Sequence, residues 1–148
     1  MKIFLDTANI SDIKEMNELG LIDGVTTNPT LLAKEGKDHM KVLREIAKEV
    51  NGPVNVEPVS QDVDEIIKEA EEFVSIGKNI VIKIPFIKEG IKAGRILLKK
   101  GIKTNFTLIF SPNQATLAAK IGADYVTPFV GMLDDIKESG TGMIKNIV

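Results

Sequence analysis

The chain has no cysteine and no tryptophan, and its one histidine is His39. The lack of cysteine excludes a disulfide framework and any thiolate metal site. A lone imidazole is too little for a zinc centre of the usual kind, so no metal is expected. His39 falls at a helix start among Lys37, Asp38 and Lys41 and reads as a solvated surface residue. Aromatic residues make up 5% of the chain, too few for a platform on which bases stack. Neither charge is in surplus: 19 Lys and Arg stand against 21 Asp and Glu, a net charge of −2. Nonspecific nucleic-acid binding needs a basic excess that is missing here. No apolar run approaches the roughly 18–20 residues of a membrane span. Asp6 comes too early for the core of a signal peptide. No glycine-rich phosphate loop follows a strand, and no Walker loop is present. These absences point to a cytoplasmic protein with no cofactor and no nucleic-acid or membrane partner.

With 148 residues, 43% of them hydrophobic, the chain can bury one core, and residues 1–148 are expected to form a single domain. Short β-rich runs alternate with longer helical ones. Strands are expected at Ile3–Leu5, Gly24–Thr27, Val54–Val59, Asn79–Ile84, Ile102–Leu108 and Tyr125–Thr127. Helices are expected between them. The first is capped by Ser11 and stopped by Gly20, another opens with an Asp62/Glu65 capping box, and a third has Ser111 as N-cap with Pro112 behind it. The tail from about Ile136 looks helical despite Gly140 and Gly142. Such alternation defines an α/β protein with about six βα units and a parallel sheet covered by helices.

A strand's side chains alternate between its two faces. On that period Phe4 pairs with Asp6, Thr26 with Asn28, Asn55 with Glu57, Val81 with Lys83, Asn105 with Thr107, and Tyr125 with Thr127. Every strand thus presents a polar residue on one face at its C-terminal end, where parallel α/β proteins bind ligands. One such residue is what the start of any loop would give; six in phase are not. Lys83 is the sharpest of them, because it sits between Ile82 and Ile84 in a run that reads as a central strand. The plain alternative is an edge lysine reaching water along its stem. Desolvation disfavours an ammonium, and a neutral amine attacks carbonyls to give a Schiff base. The iminium then accepts electrons, so a neighbouring carbon–carbon bond can break without a metal. Asp6 and Glu57 are the two acids at such positions and are assigned proton transfer. Asn28, Asn105, Thr107 and Thr127 offer neutral donors and acceptors suited to sugar hydroxyls.

The segments Ile3–Ala8, Gly24–Thr30, Val81–Pro85, Thr104–Leu108 and Thr127–Gly131 resemble the transaldolase family, in its small bacterial and archaeal branch, which also holds fructose-6-phosphate aldolases. The resemblance runs in order from Met1 to about Asp135. It implies a TIM (β/α)8-barrel type of fold, incomplete here with about six units and lacking the last quarter, since such barrels need about 200 residues. It implies catalytic roles for Lys83 as the Schiff-base amine, for Asp6 in carbon–carbon cleavage, and for Glu57 and Thr107 as holders of a proton-shuttling water. It also implies substrate binding by Thr26, Asn28, Asn105, Thr127 and Phe129, with Asn28 and Asn105 on the dihydroxyacetone unit. Glu57 and Phe129 stand where the aldolases resemble a glutamine and a tyrosine, so the transferase is favoured. The implied reaction moves a dihydroxyacetone unit from a ketose phosphate (sedoheptulose 7-phosphate) to glyceraldehyde 3-phosphate in the pentose phosphate pathway, in a homo-oligomer. One departure stands out: Met132 occupies the place of an arginine that would hold phosphate.

Three other readings compete: a fructose-6-phosphate aldolase-like enzyme, an inactive fragment, and an open flavodoxin-like module. A phosphorelay receiver is disfavoured because one acid, not a pair, ends the first strand, and because Lys83 precedes Thr107. Unpaired strand edges lead to an expectation of self-association or of a disordered tail beyond about Asp135.

Overall fold

Polar caps and glycine stops divide this chain into its elements. The computed structural model describes residues 1–148. Asn9 caps α1 (Ile10–Glu18), its side chain accepting from the Ser11 and Asp12 N–H groups. Ser11, the expected cap, therefore lies inside the helix: Asn9 reaches the free N–H groups first. Asn28 and Asp38 cap α2 (Pro29–Lys34) and α3 (His39–Glu49), and Asp62 caps α4 (Val63–Val74). The Asp62 carboxylate accepts from Asp64 and Glu65 N–H, which is one half of the expected capping box. After α5 (Lys88–Lys99), Ser111 and Pro112 open α6 (Pro112–Ile121) as anticipated. Gly122 closes α6 at φ 96°, a conformation in which glycine carries no steric penalty.

The strands are β1 (Phe4–Asp6), β2 (Gly24–Thr26), β3 (Val54–Val56), β4 (Ile80–Pro85), β5 (Thr104–Ile109) and β6 (Tyr125–Pro128). All ladders are parallel, and the sheet order is β1-β2-β3-β4-β5-β6. This order decides between barrel and open sheet. A doubly wound sheet reverses its strand order at a switch point, as in the 2-1-3-4-5 order of flavodoxin-like folds. Nothing reverses here, so the open flavodoxin-like module is excluded. Right-handed crossovers that always step the same way put every helix on one face.

That face holds the core. Val25, Val54, Val56, Ile80, Ile82, Ile84 and Phe106 from the strands join Ile13, Leu43, Ile46, Leu97 and Ala118 from the helices. Burying one such side chain fully is worth about 1.5–3 kcal/mol. The opposite face curls inward. Phe4 on β1 and Tyr125 on β6 meet edge to face with ring centroids 6.5 Å apart, although their strands are the two edges of the sheet. The result is a curled, incomplete TIM-barrel type of sheet with helices outside.

Beyond β6 come α7 (Val130–Asp135) and α8 (Gly140–Ile147), with Leu133, Gly140 and Met143 buried. The tail is thus an ordered helix packed on α6 and α7, not the disordered segment offered as one expectation. No helix is long and apolar enough to cross a membrane.

Candidate active site

Lys83 projects from β4, one of the two central strands, onto the curled face and is 6% exposed. Ile82 and Ile84 point the other way, into the helix-side core, so the period of two fixes Lys83 on the concave face. Its Nζ lies 3.2 Å from Glu57 Oε2 and donates a long hydrogen bond, 3.4 Å, to the Thr27 carbonyl. The Glu57 side chain is 17% exposed, so the pair is largely out of water and its charges are little screened.

Two cavities meet at this amine. The first, about 520 Å³, is lined by Asn28, Glu57, Lys83, Thr107, Leu108 and Phe129, with Thr30 and Lys34 of α2 at its rim. The second, about 480 Å³, is lined by Asp6, Thr26, Asn28, Lys83, Thr127, Phe129, Met132 and Asp135. They share Asn28, Lys83 and Phe129. Of the nine residues singled out from sequence, eight line one or both. Asn105 is the exception. It is buried beneath the floor, where Nδ2 donates to Asn55 Oδ1 at 2.9 Å and Oδ1 accepts from Thr127 Oγ1 at 2.9 Å. Asn55 Nδ2 in turn donates to the Val25 carbonyl at 3.3 Å. This chain of amides ties β6, β5, β3 and β2 together under the lysine.

The remaining polar groups are partly committed. The Asn28 Oδ1 accepts from Leu31 N–H at 2.9 Å as the cap of α2, which leaves its Nδ2 for a ligand. The hydroxyls of Thr26 and Thr107 are buried and have no partner in the chain. A buried hydroxyl without a partner costs about 1–3 kcal/mol, so both are points where a substrate or water would be held. Thr104 Oγ1 is likewise unpartnered; it starts β5 away from the cavities, and nothing in the site accounts for it.

Sequence reasoning missed three participants. Thr27 supplies the carbonyl next to Lys83, and backbone acceptors carry no sequence signal. Asn55 lies on the face that the period of two predicts, but its bond to Asn105 depends on sheet register, which the sequence does not encode. Leu108 enters the cavity through a bulge. Between Phe106 and Ile109 the ladder with β6 gains a residue, and Leu108 takes φ 58°, in the left-handed region. Thr107 is on the concave face by the ordinary alternation from Asn105, and the extra residue returns Ile109 to the core.

The arrangement is a buried amine against a carboxylate, a second carboxylate (Asp6) across the cavity, and unpartnered hydroxyls, on the inner face of a curled parallel sheet. It defines an α/β-barrel type of protein suited to carbonyl chemistry, and comparison with known proteins agrees. The family model for transaldolase/fructose-6-phosphate aldolase matches residues 3–148. A probable transaldolase of Methanococcus vannielii is 60% identical over 148 residues, which are 100% of this chain and 69% of that protein. A probable transaldolase of Dictyoglomus turgidum is 59% identical over 147 residues, with 99% and 69% covered. The carboxyl transferase domain of Rhizobium etli pyruvate carboxylase is similar in fold alone: TM-score 0.56, 16% identity, covering 99% of this chain and 33% of that one. The chain belongs to the transaldolase/fructose-6-phosphate aldolase family.

Proposed function

We propose that the chain is a transaldolase, which moves a dihydroxyacetone unit between sugar phosphates through a Schiff base on Lys83. The observation that carries this reading is the buried amine 3.2 Å from Glu57 at the junction of two polar cavities. In the neutral state Lys83 adds to the ketose carbonyl, and loss of water gives an iminium. Glu57 is close enough to take up and return the protons of that exchange, with the unpartnered Thr107 hydroxyl holding the water. Asp6 then removes the proton of the hydroxyl on the carbon two positions from the iminium carbon; the bond from that carbon to the intervening one breaks, its oxygen becomes an aldehyde, and the bonding electrons move into the iminium to leave an enamine. The aldehyde leaves, and the enamine attacks the incoming aldose. Thr26, Asn28 and Thr127 surround the sugar, and Asn105 holds Thr127 from below. No metal or cofactor enters these steps.

Glu57 and Phe129 favour transfer over free aldol cleavage, since the resemblance gives the aldolases a glutamine and a tyrosine there. The natural donor would be sedoheptulose 7-phosphate and the acceptor glyceraldehyde 3-phosphate, in the cytoplasmic pentose phosphate pathway, with a homo-oligomer as the working form. The test is product analysis. Given both sugars, a transferase yields a four-carbon aldose phosphate and a six-carbon ketose phosphate; when the acceptor is withheld it yields none of the ketose and no more of the aldose than one equivalent per active site. Release of free dihydroxyacetone from fructose 6-phosphate without an acceptor would instead favour the aldolase reading.

A further inference from the structure

Glu57 lies one residue beyond Val56, the last residue of β3 with a ladder partner. The sheet therefore does not hold it. Next in the chain are Pro58, buried, and Val59, whose side chain is 67% exposed and anchors nothing. A carboxylate in that position would wander with its loop unless something fixes the turn. Glu69, two turns into α4, meets the need. Its Oε2 accepts from Val59 N–H at 2.8 Å and its Oε1 from Ser60 N–H at 3.1 Å. Both oxygens of one carboxylate are thus spent on two successive backbone donors just past Glu57. Such charge-assisted bonds are shorter and stronger than neutral ones, and α4 is a rigid base for them, with Ile66 and Ala70 buried on either side of Glu69 in sequence.

We propose that Glu69 is a positioning residue for the Schiff-base chemistry: its carboxylate clamps the β3–α4 turn and so holds Glu57 at Lys83. The inference rests on the Schiff-base reading above, since it is Glu57's proton transfer that the clamp serves. It makes the effect of Glu69 selective. Steps that pass protons at the amine, imine formation and hydrolysis, depend on where Glu57 sits, whereas carbon–carbon cleavage depends on Asp6 across the cavity. Glu69→Gln keeps the shape but removes the charge and turns one acceptor into a donor facing a backbone N–H.

The test measures the rate at which borohydride fixes fructose 6-phosphate onto Lys83, in the intact chain and four variants. The parent chain is labelled. Glu69→Gln is labelled about ten- to a hundredfold more slowly, the loss that a misplacement of about 1 Å produces. Amide exchange at Val59 and Ser60 rises in that variant. The double variant Glu57→Gln/Glu69→Gln is no slower than Glu57→Gln alone, because the clamp acts only through Glu57. Glu72→Gln, exposed on the same helix, labels at the parent rate. If Glu69→Gln does not fold, Glu69→Asp, which keeps the charge one methylene short, carries the same test. A labelled parent with Glu69→Gln at the parent rate, or a double variant that loses both effects independently, overturns the clamp and leaves the Schiff base standing. An unlabelled parent overturns the Schiff base, and the clamp's role falls with it.

Discussion

Lys83 is held by neighbours of opposite kinds. Ile82 and Ile84 anchor its strand in the helix-side core, while Glu57, Thr27 and the cavities surround its amine. Glu57→Gln keeps the shape and removes the proposed proton carrier. It is expected to slow imine formation and hydrolysis by about 10²–10⁴-fold, the usual loss for one acid–base group, with a smaller effect on carbon–carbon cleavage. Single-turnover kinetics that resolve the steps check this, and equal slowing of all of them would reduce Glu57 to a binding group. Met132 is a second residue-scale case. It is 52% exposed and lines the same cavity as Asp6, Asp135 and Lys83, the last being that cavity's one cationic side chain, so no guanidinium is offered there to a phosphate. Met132→Arg should lower KM for a phosphorylated donor about ten- to a hundredfold, at roughly 1.5–3 kcal/mol for a hydrogen bond to a charged group. KM for the unphosphorylated donor should stay unchanged; if both fall together, position 132 does not meet the phosphate. The inward residues were legible because a strand's period is two and because a lysine between isoleucines breaks a pattern. Asn105's burial under the floor was not legible: its partners Asn55 and Thr127 lie 50 and 22 residues away and are set by register.

At the scale of elements, the units that build the site are a strand end, a turn and a helix start. Their boundaries were readable where chemistry marks them, as at Ser111-Pro112 and Gly122, and were misread where two cap residues compete, as at Asn9 and Ser11. The bulge at Leu108 carries no sequence signal. A left-handed leucine costs about 1–2 kcal/mol, and only the mismatch between β5 and β6 explains it. A strict period of two would send Leu108 to the core, whereas it lines the cavity. Close packing at the start of α5 offers a direct test. A Cβ on Gly90 would collide with the Pro85 carbonyl oxygen, a backbone atom at the end of the strand that carries Lys83. Alanine normally favours a helix over glycine by about 1 kcal/mol. Here Gly90→Ala should instead destabilise the chain by about 1–3 kcal/mol, as overpacking does. Urea unfolding measures the difference, and a stabilised variant would show that α5 stands further from β4 and leaves room for a methyl group.

For the whole molecule, strand order is decisive. An unreversed run from β1 to β6, curled until Phe4 reaches Tyr125, brings Asp6 and Thr127 from the two edge strands into one cavity with Lys83. The alternation of elements revealed the parallel sheet, but the curl depends on how far each strand rotates on its neighbour, which no motif encodes. The chain spans 69% of the length of its curated relatives. β1 and β6 each pair on one side only, and unpaired edges recruit other chains. Light scattering on the 148-residue chain should therefore report self-association, and a monodisperse monomer would show that these edges are protected. The central claim, that this fold exists to hold a nucleophilic amine, is tested most directly by mapping the site of attachment. Reduction with borohydride in the presence of a ketose phosphate, then peptide mass analysis, should place the added sugar on Lys83 and nowhere else, and Lys83→Ala should carry none. Sugar found on another lysine, or retained by Lys83→Ala, would contradict the account.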